Sequence, residues 1–106
     1  MIASWYSVAA LKRDGQWSIT EGRCANGTLF KDDAFTCAAG KQYRLNTYLK
    51  IRNNENGKEI VVKVTDRLNK RFYQTRVDLS KKAFEVISGK QGLKQGLLSV
   101  TVEEIK

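Results

Sequence analysis

IVVKVTDRLNKRFYQTRVDLS, residues 60–80, holds two strand-like runs, 60–65 and 76–79. Asp66 follows the first run at once, and Asp78 sits inside the second, twelve residues on. Ile60, Val61, Val62 and Val64 are all β-branched, a composition that predicts a strand buried over most of its length. A carboxylate at the end of such a strand adds nothing to packing, and carboxylates avoid burial unless paired or working. Lys63, Arg67, Lys70, Arg71, Arg76, Lys81 and Lys82 surround both aspartates with positive charge. Two carboxylates on a strand scaffold in a basic setting are the sharpest chemical feature of the chain. The competing reading is structural. Asp66 would then tie a loop through Arg67 or a backbone turn, and Asp78 would bond to backbone or to Arg76.

Outward from this stretch the chain reads as short strands between turns. Asn53-Asn54-Glu55-Asn56-Gly57 carries the Asn-Gly hairpin signature, with alternating strands at 48–52 and 59–65 on either side. Residues 2–8 and 97–105 predict a first and a last strand. Trp5 and Tyr6 are adjacent, so one faces the core and the other is free to line a groove. Residues 80–88 predict a helix, with Ser80 as N-cap, an apolar stripe of Ala83, Phe84, Val86 and Ile87, and Gly89 as its stop. Residues 9–22 read as a long polar loop with Trp17 covering the barrel end. The small-residue run 37–40 marks close backbone packing. About six short strands with regular turns predict a small barrel or sandwich.

The 106 residues fit one domain. No apolar run approaches the length of a membrane span. The net charge of +8 favours a polyanionic partner. Lys and Arg are scattered, not striped with aromatics, which argues against nucleic acid. The absence of histidine excludes Ser-His-Asp and Cys-His catalysis and His-ligated metals, and leaves acid–base work to carboxylates. Two cysteines alone make no structural zinc site, and neither a metal nor a cofactor is expected. Cys24 and Cys37 flank a polar loop, so a disulfide worth about 3 kcal/mol is expected, two unpaired buried thiols being the other reading. Met1 leads directly into the first strand, with no signal peptide ahead of it.

ASWY at 3–6, CANGTLF at 24–30, TCAA at 36–39, NNENGKEIVVKVTDR at 53–67 and RVDLS at 76–80 together resemble the rare lipoprotein A (RlpA) family. The resemblance runs through nearly the whole chain in order. It implies a mainly β fold, a six-stranded double-psi β-barrel with one or two short helices spanning residues 1–106, related to expansins and MltA-type barrels. It also implies a groove across one face and a cell-wall polysaccharide as partner, usually peptidoglycan strands stripped of peptide stems. On the matching positions, Asp66 is the implied general acid/base of a lytic transglycosylase and Asp78 a second catalytic carboxylate. Tyr6, Asn26 and Arg67 are implied on the substrate side.

The chain departs from the family pattern at four places. Gly40 stands for a histidine, Asn46 for the glycine of a Gly-Thr turn, Leu68-Asn69 for Gly-Pro, and Ser7 for the glycine after ASWY. Two functions follow as expectations. One is cleavage of naked glycan strands by a single aspartate. The other is non-catalytic or expansin-like binding of wall glycan. Both place the protein in the periplasm or cell envelope as a monomer, a cytoplasmic or phage-borne protein being the alternative.

Overall fold

The Asn-Gly signature at 53–57 does make a hairpin. The computed structural model describes residues 1–106. Strand β3 (Tyr48–Asn53) and strand β4 (Glu59–Arg67) pair antiparallel, with Ile51 opposite Ile60 and Leu49 opposite Val62. Gly57 takes φ +76° in the turn, a conformation that glycine reaches without a Cβ clash. Leu49, Ile51, Val62 and Val64 fill the interior. Val61, in contrast, is 48% exposed. The β-branched run therefore reflects strand propensity with one buried face, and not the burial of both.

Four further strands complete the sheet: β1 (Ile2–Tyr6), β2 (Thr36–Ala39), β5 (Arg76–Ser80) and β6 (Leu98–Ile105). They close into a barrel in the order β1-β5-β2-β4-β3-β6. The pairs β1/β5 and β2/β4 are parallel and the rest antiparallel. Closure leaves no strand edge open to another chain. This is the six-stranded barrel that the family resemblance implies.

The helix expected at 80–88 is Lys81–Ile87. Ser80 Oγ accepts from the Ala83 N–H, and Ala83, Phe84 and Ile87 are buried as a plug against the barrel. Asn53, only 1% exposed, donates to the Ile87 carbonyl at 2.7 Å and accepts from the Glu55 N–H at 3.0 Å. Its buried amide is thereby satisfied, which avoids the cost of an unpaired polar group.

Residues 9–22 are not a loop. They hold α1 (Val8–Arg13) and α2 (Gln16–Thr20), so the helix at 81–87 is α3, one more than the two at most expected. Ser7 Oγ caps α1 through the Ala10 N–H, and Gly15 in the left-handed region separates the two helices. Neither buries a residue, so neither carries the apolar stripe by which a helix is recognised. Trp17 does not cover the barrel end. Its ring packs on Gly22, where a Cβ would approach to 2.6 Å, under the Lys12 ammonium. No helix is long and apolar enough to cross a membrane.

The expected Cys24–Cys37 disulfide is not formed, and both residues are buried free thiols. Cys37 points from β2 into the hydrophobic core. Cys24 lies outside that core, in the 22–30 loop.

Candidate active site

Barrel strands alternate faces, so every residue between two core residues looks outward. On β5, Val77 and Leu79 are in the core, and Asp78 faces out. On β2, Cys37 and Ala39 are in the core, and Ala38 faces out. On β1, Ala3 is in the core and Trp5 packs against it, leaving Ser4 and Tyr6 outside. The adjacent aromatic pair divides as its spacing requires. Trp5 donates its indole N–H to the Leu93 carbonyl at 3.1 Å, and Tyr6 stacks on Phe30 with centroids 4.4 Å apart.

Asp66 would break this pattern in a regular strand, because Val64 points inward and the residue two further on should follow. The pairing of β2 with β4 shifts at that point. Cys37 pairs with Val64, but Ala38 pairs with Asp66, leaving Thr65 as the extra residue. This bulge turns Asp66 to the outer face, the re-aiming that bulges supply near functional sites. Ser4, Tyr6, Asp78, Ala38 and Asp66 thus form a continuous floor across β1, β5, β2 and β4. The cleft above them holds about 710 Å³. One wall comes from α1, α2 and the 22–25 loop. The other comes from Leu68, Asn69, Phe72 and Arg76.

The two carboxylates are held differently. Asp66 Oδ1 accepts the backbone N–H groups of Ala25 at 3.0 Å and Arg67 at 2.9 Å. Asp78 Oδ1 accepts from Ser4 Oγ at 3.0 Å. Burial raises the pKa of Asp78 to about 6; the Ser4 hydroxyl and the Arg76 charge oppose the shift, and the Asp66 charge adds to it. Neither aspartate is in an ion pair. The Tyr6 hydroxyl is buried and has no hydrogen-bond partner. Its pKa is raised well above the ordinary phenol value, first by burial and then by Cys24, Asp66, Asp78 and Cys37.

Two of the residues expected on the substrate side have other occupations. Arg67 lines the cleft, but its Nη1 donates to the carbonyls of Tyr43 at 2.7 Å, Gly40 at 2.9 Å and Ala39 at 3.3 Å. Asn26 does not line the cleft. Its amide donates to Asn46 Oδ1 and accepts from Thr28, tying the 24–28 loop to the turn at Asn46. Asn46 itself sits at φ +72°, in the left-handed region where asparagine replaces glycine with least penalty. Ser4 was not among the expected residues, although it shares a strand face with Tyr6 at a spacing of two. Phe72 was missed because nothing in sequence tells which way a turn folds, and Arg76 was missed although it shares a strand face with Asp78 at a spacing of two.

At Gly40 there is no space for a side chain. A Cβ would lie 2.8 Å from both Cβ and the carbonyl oxygen of Tyr73 and would collide with Gln42 Oε1. Gln42 Nε2 donates to that same Tyr73 carbonyl. The 68–75 turn therefore occupies the place that a histidine would need.

No protein-family model matches the chain. It is 36% identical over 102 residues to the endolytic peptidoglycan transglycosylase RlpA of Rickettsia bellii, an alignment spanning 95% of this chain and 40% of that protein. The chain thus spans well under half the length of the curated relative it matches. Among solved structures, the Streptomyces papain inhibitor superposes with a TM-score of 0.71 at 18% identity, covering 99% of this chain and 91% of that one. A Clavibacter michiganensis expansin mutant in complex with cellohexaose gives 0.69 at 15% identity, covering 99% of this chain and 48% of that one. With the closed six-stranded barrel and the motifs in order along it, these likenesses make the chain an RlpA-like double-psi β-barrel domain.

Proposed function

We propose that this domain cleaves peptidoglycan glycan strands as a lytic transglycosylase, in the cell envelope where that polymer lies. The observation that carries the reading is the pair Asp66 and Asp78, unpaired with any cation, on one cleft floor, with the carboxyl of Asp78 raised to about 6. The resemblance in sequence assigns the acid role to Asp66. Desolvation favours Asp78 for it, since a proton donor near neutral pH needs a raised pKa.

In this reading protonated Asp78 delivers its proton to the glycosidic oxygen as the C1–O4 bond breaks. The Asp66 carboxylate stabilises the positive charge that develops at C1. Asp78, now a carboxylate, takes the proton from the sugar's own C6 hydroxyl as O6 attacks C1. The C1–O6 bond closes a 1,6-anhydro ring, no water is consumed, and Asp78 returns to its starting state. Tyr6 meets the sugar with the exposed part of its ring, its hydroxyl being buried.

The second reading is an expansin-like glycan-binding cleft without turnover. The closed space at Gly40, where the family pattern has a histidine, favours it. Purified strands stripped of stems, analysed by mass spectrometry after incubation, separate the two. Anhydro-muramyl products that vanish in Asp78→Asn and Asp66→Asn establish cleavage. Strand retention without products leaves the binding module.

A further inference from the structure

Phe72, in the cleft wall, carries two guanidinium groups. Arg71 Cζ lies 4.7 Å from its ring centroid and Arg76 Cζ lies 4.6 Å. Neither arginine is in an ion pair; the pairs present join Arg13 to Asp14 and Lys50 to Glu59 and Glu103. Arg67, two strand-ends away, shows the alternative fate of an arginine here, since it is tied to three backbone carbonyls. Arg71 and Arg76 have no such acceptors. Arg76 is half-buried and lines the cleft on the same strand as Asp78.

Two like charges on one ring repel each other. A cation over an aromatic face is held weakly, which does not replace a counter-charge. Each guanidinium presents five N–H donors in a rigid fork that matches the two oxygens of a carboxylate. Both forks are free to take an anion, Arg76 from the cleft lining and Arg71 from the exposed rim beside it.

We propose that Arg71 and Arg76, held on Phe72, form a binding site for a carboxylate carried by the glycan in the cleft. The proposal rests on the glycan reading above and supplies its specificity. On a peptidoglycan strand stripped of stems, every N-acetylmuramic acid exposes a free lactyl carboxylate. On a strand that still bears stems, that group is an uncharged amide. The site therefore selects naked strands by charge, with no need for a steric block against the peptide. A uronate in an acidic wall polysaccharide offers the same chemistry.

The test compares binding at pH 8 to stem-stripped strands and to the same strands with their lactyl carboxylates converted to methylamides. The wild-type domain binds the free-carboxylate strands about tenfold more tightly, as one charge-assisted bidentate contact provides. Arg71→Gln and Arg76→Gln each lower that ratio, and the double variant brings it to one while still binding the methylamide strands. Arg71 is exposed, so its variant keeps the proposal testable if Arg76→Gln is unstable. Equal wild-type binding of the two strands, or a ratio that survives in the double variant, overturns the carboxylate site and leaves the glycan reading standing. Binding of neither strand overturns both. An oligogalacturonate arm separates the sources: tighter binding there, lost in the double variant, supports the site and assigns it to uronates.

Discussion

Asp66 and Asp78 both pair with Ala38, one from each side of β2. Neighbouring strands lie about 4.8 Å apart, so the two aspartates stand roughly 10 Å apart at their Cα atoms on a single rung. The residue between them has only a methyl side chain, and nothing larger fills the space over which the carboxylates act. The rung exists because Thr65 is bulged, since without that extra residue Asp66 would point into the core beside Val64. The proposed mechanism therefore depends on a backbone irregularity as much as on two acids.

The raised pKa of Asp78 links stability to pH. In the unfolded chain its carboxyl titrates near 3.8, and in the fold near 6. A raised native pKa means that the folded state holds the proton more tightly. Its contribution is fully present below pH 3.8 and is lost as pH rises to about 6. Asp78→Asn removes the buried charge and keeps an oxygen for Ser4. The variant is expected to be more stable than wild type by about 3 kcal/mol at pH 8 and equal to it at pH 3.5. Urea titrations at the two pH values check this. An equal difference at both would show that Asp78 is not the strained acid.

Cleavage, on the proposed mechanism, needs the protonated form of Asp78. The rate of anhydro-product release is expected to fall about tenfold for each pH unit above 6, in parallel with the loss of that proton. Ser4→Ala removes the hydroxyl that favours the charged form, so it moves the whole profile to higher pH. A profile that Ser4→Ala leaves in place would assign the titrating group elsewhere.

Tyr6 separates stability from function. Its hydroxyl is buried without a partner, a state that costs about 1–3 kcal/mol. Tyr6→Phe keeps the stack on Phe30 and removes the orphan group. The variant is expected to unfold at the same or a higher urea concentration than wild type, while glycan binding and turnover stay within about twofold, because the hydroxyl has no exposed surface. A tenfold loss of binding or turnover would show that the hydroxyl reaches the sugar.

The barrel was legible because its signals are local. The Asn-Gly hairpin, the period-two alternation in β3 and the Ser80 cap each act within a few residues, and each stands as read. α1 and α2 were not legible, because their residues face the cleft and solvent and leave no apolar stripe. Asp66 and Asp78 announced themselves as carboxylates without a packing role, but their common partner Ala38 depends on a bulge that sequence does not mark. Arg67 and Asn26 matched family positions by residue type alone. Their side chains are taken up by carbonyls and amides brought together by the fold, from Tyr43, Gly40, Ala39 and Asn46.

The two cysteines give a direct chemical check. Burial pushes the Cys37 thiol up to about 12 and raises that of Cys24, so neither is a thiolate at neutral pH. The thiolate is the reactive form. Both are expected to resist iodoacetamide in the native protein at pH 7.5 and to react together, as two free thiols, once it is denatured. Mass spectrometry reads the outcome directly. A native protein two mass units lighter, with no thiol released by denaturant alone, would establish the bridge in place of the free pair.

Gly40 decides how far this chain can be moved toward the family pattern. Restoring the histidine is the obvious route to stronger turnover, and the packing argues against it. Tyr73 contributes both a side-chain and a backbone atom 2.8 Å from where a Cβ would stand, and backbone yields less readily than the end of a flexible side chain. Even Gly40→Ala is expected to cost about 1–3 kcal/mol through overpacking. Gly40→His should cost more, and it should loosen the Arg67 tie to the Gly40 carbonyl. Shortening Tyr73 leaves its carbonyl in place, so Gly40→His with Tyr73→Ala should recover only part of the loss in a urea titration. Full recovery, with a gain in anhydro-product release, would show that the 68–75 turn moves aside and that the histidine site is latent in this barrel.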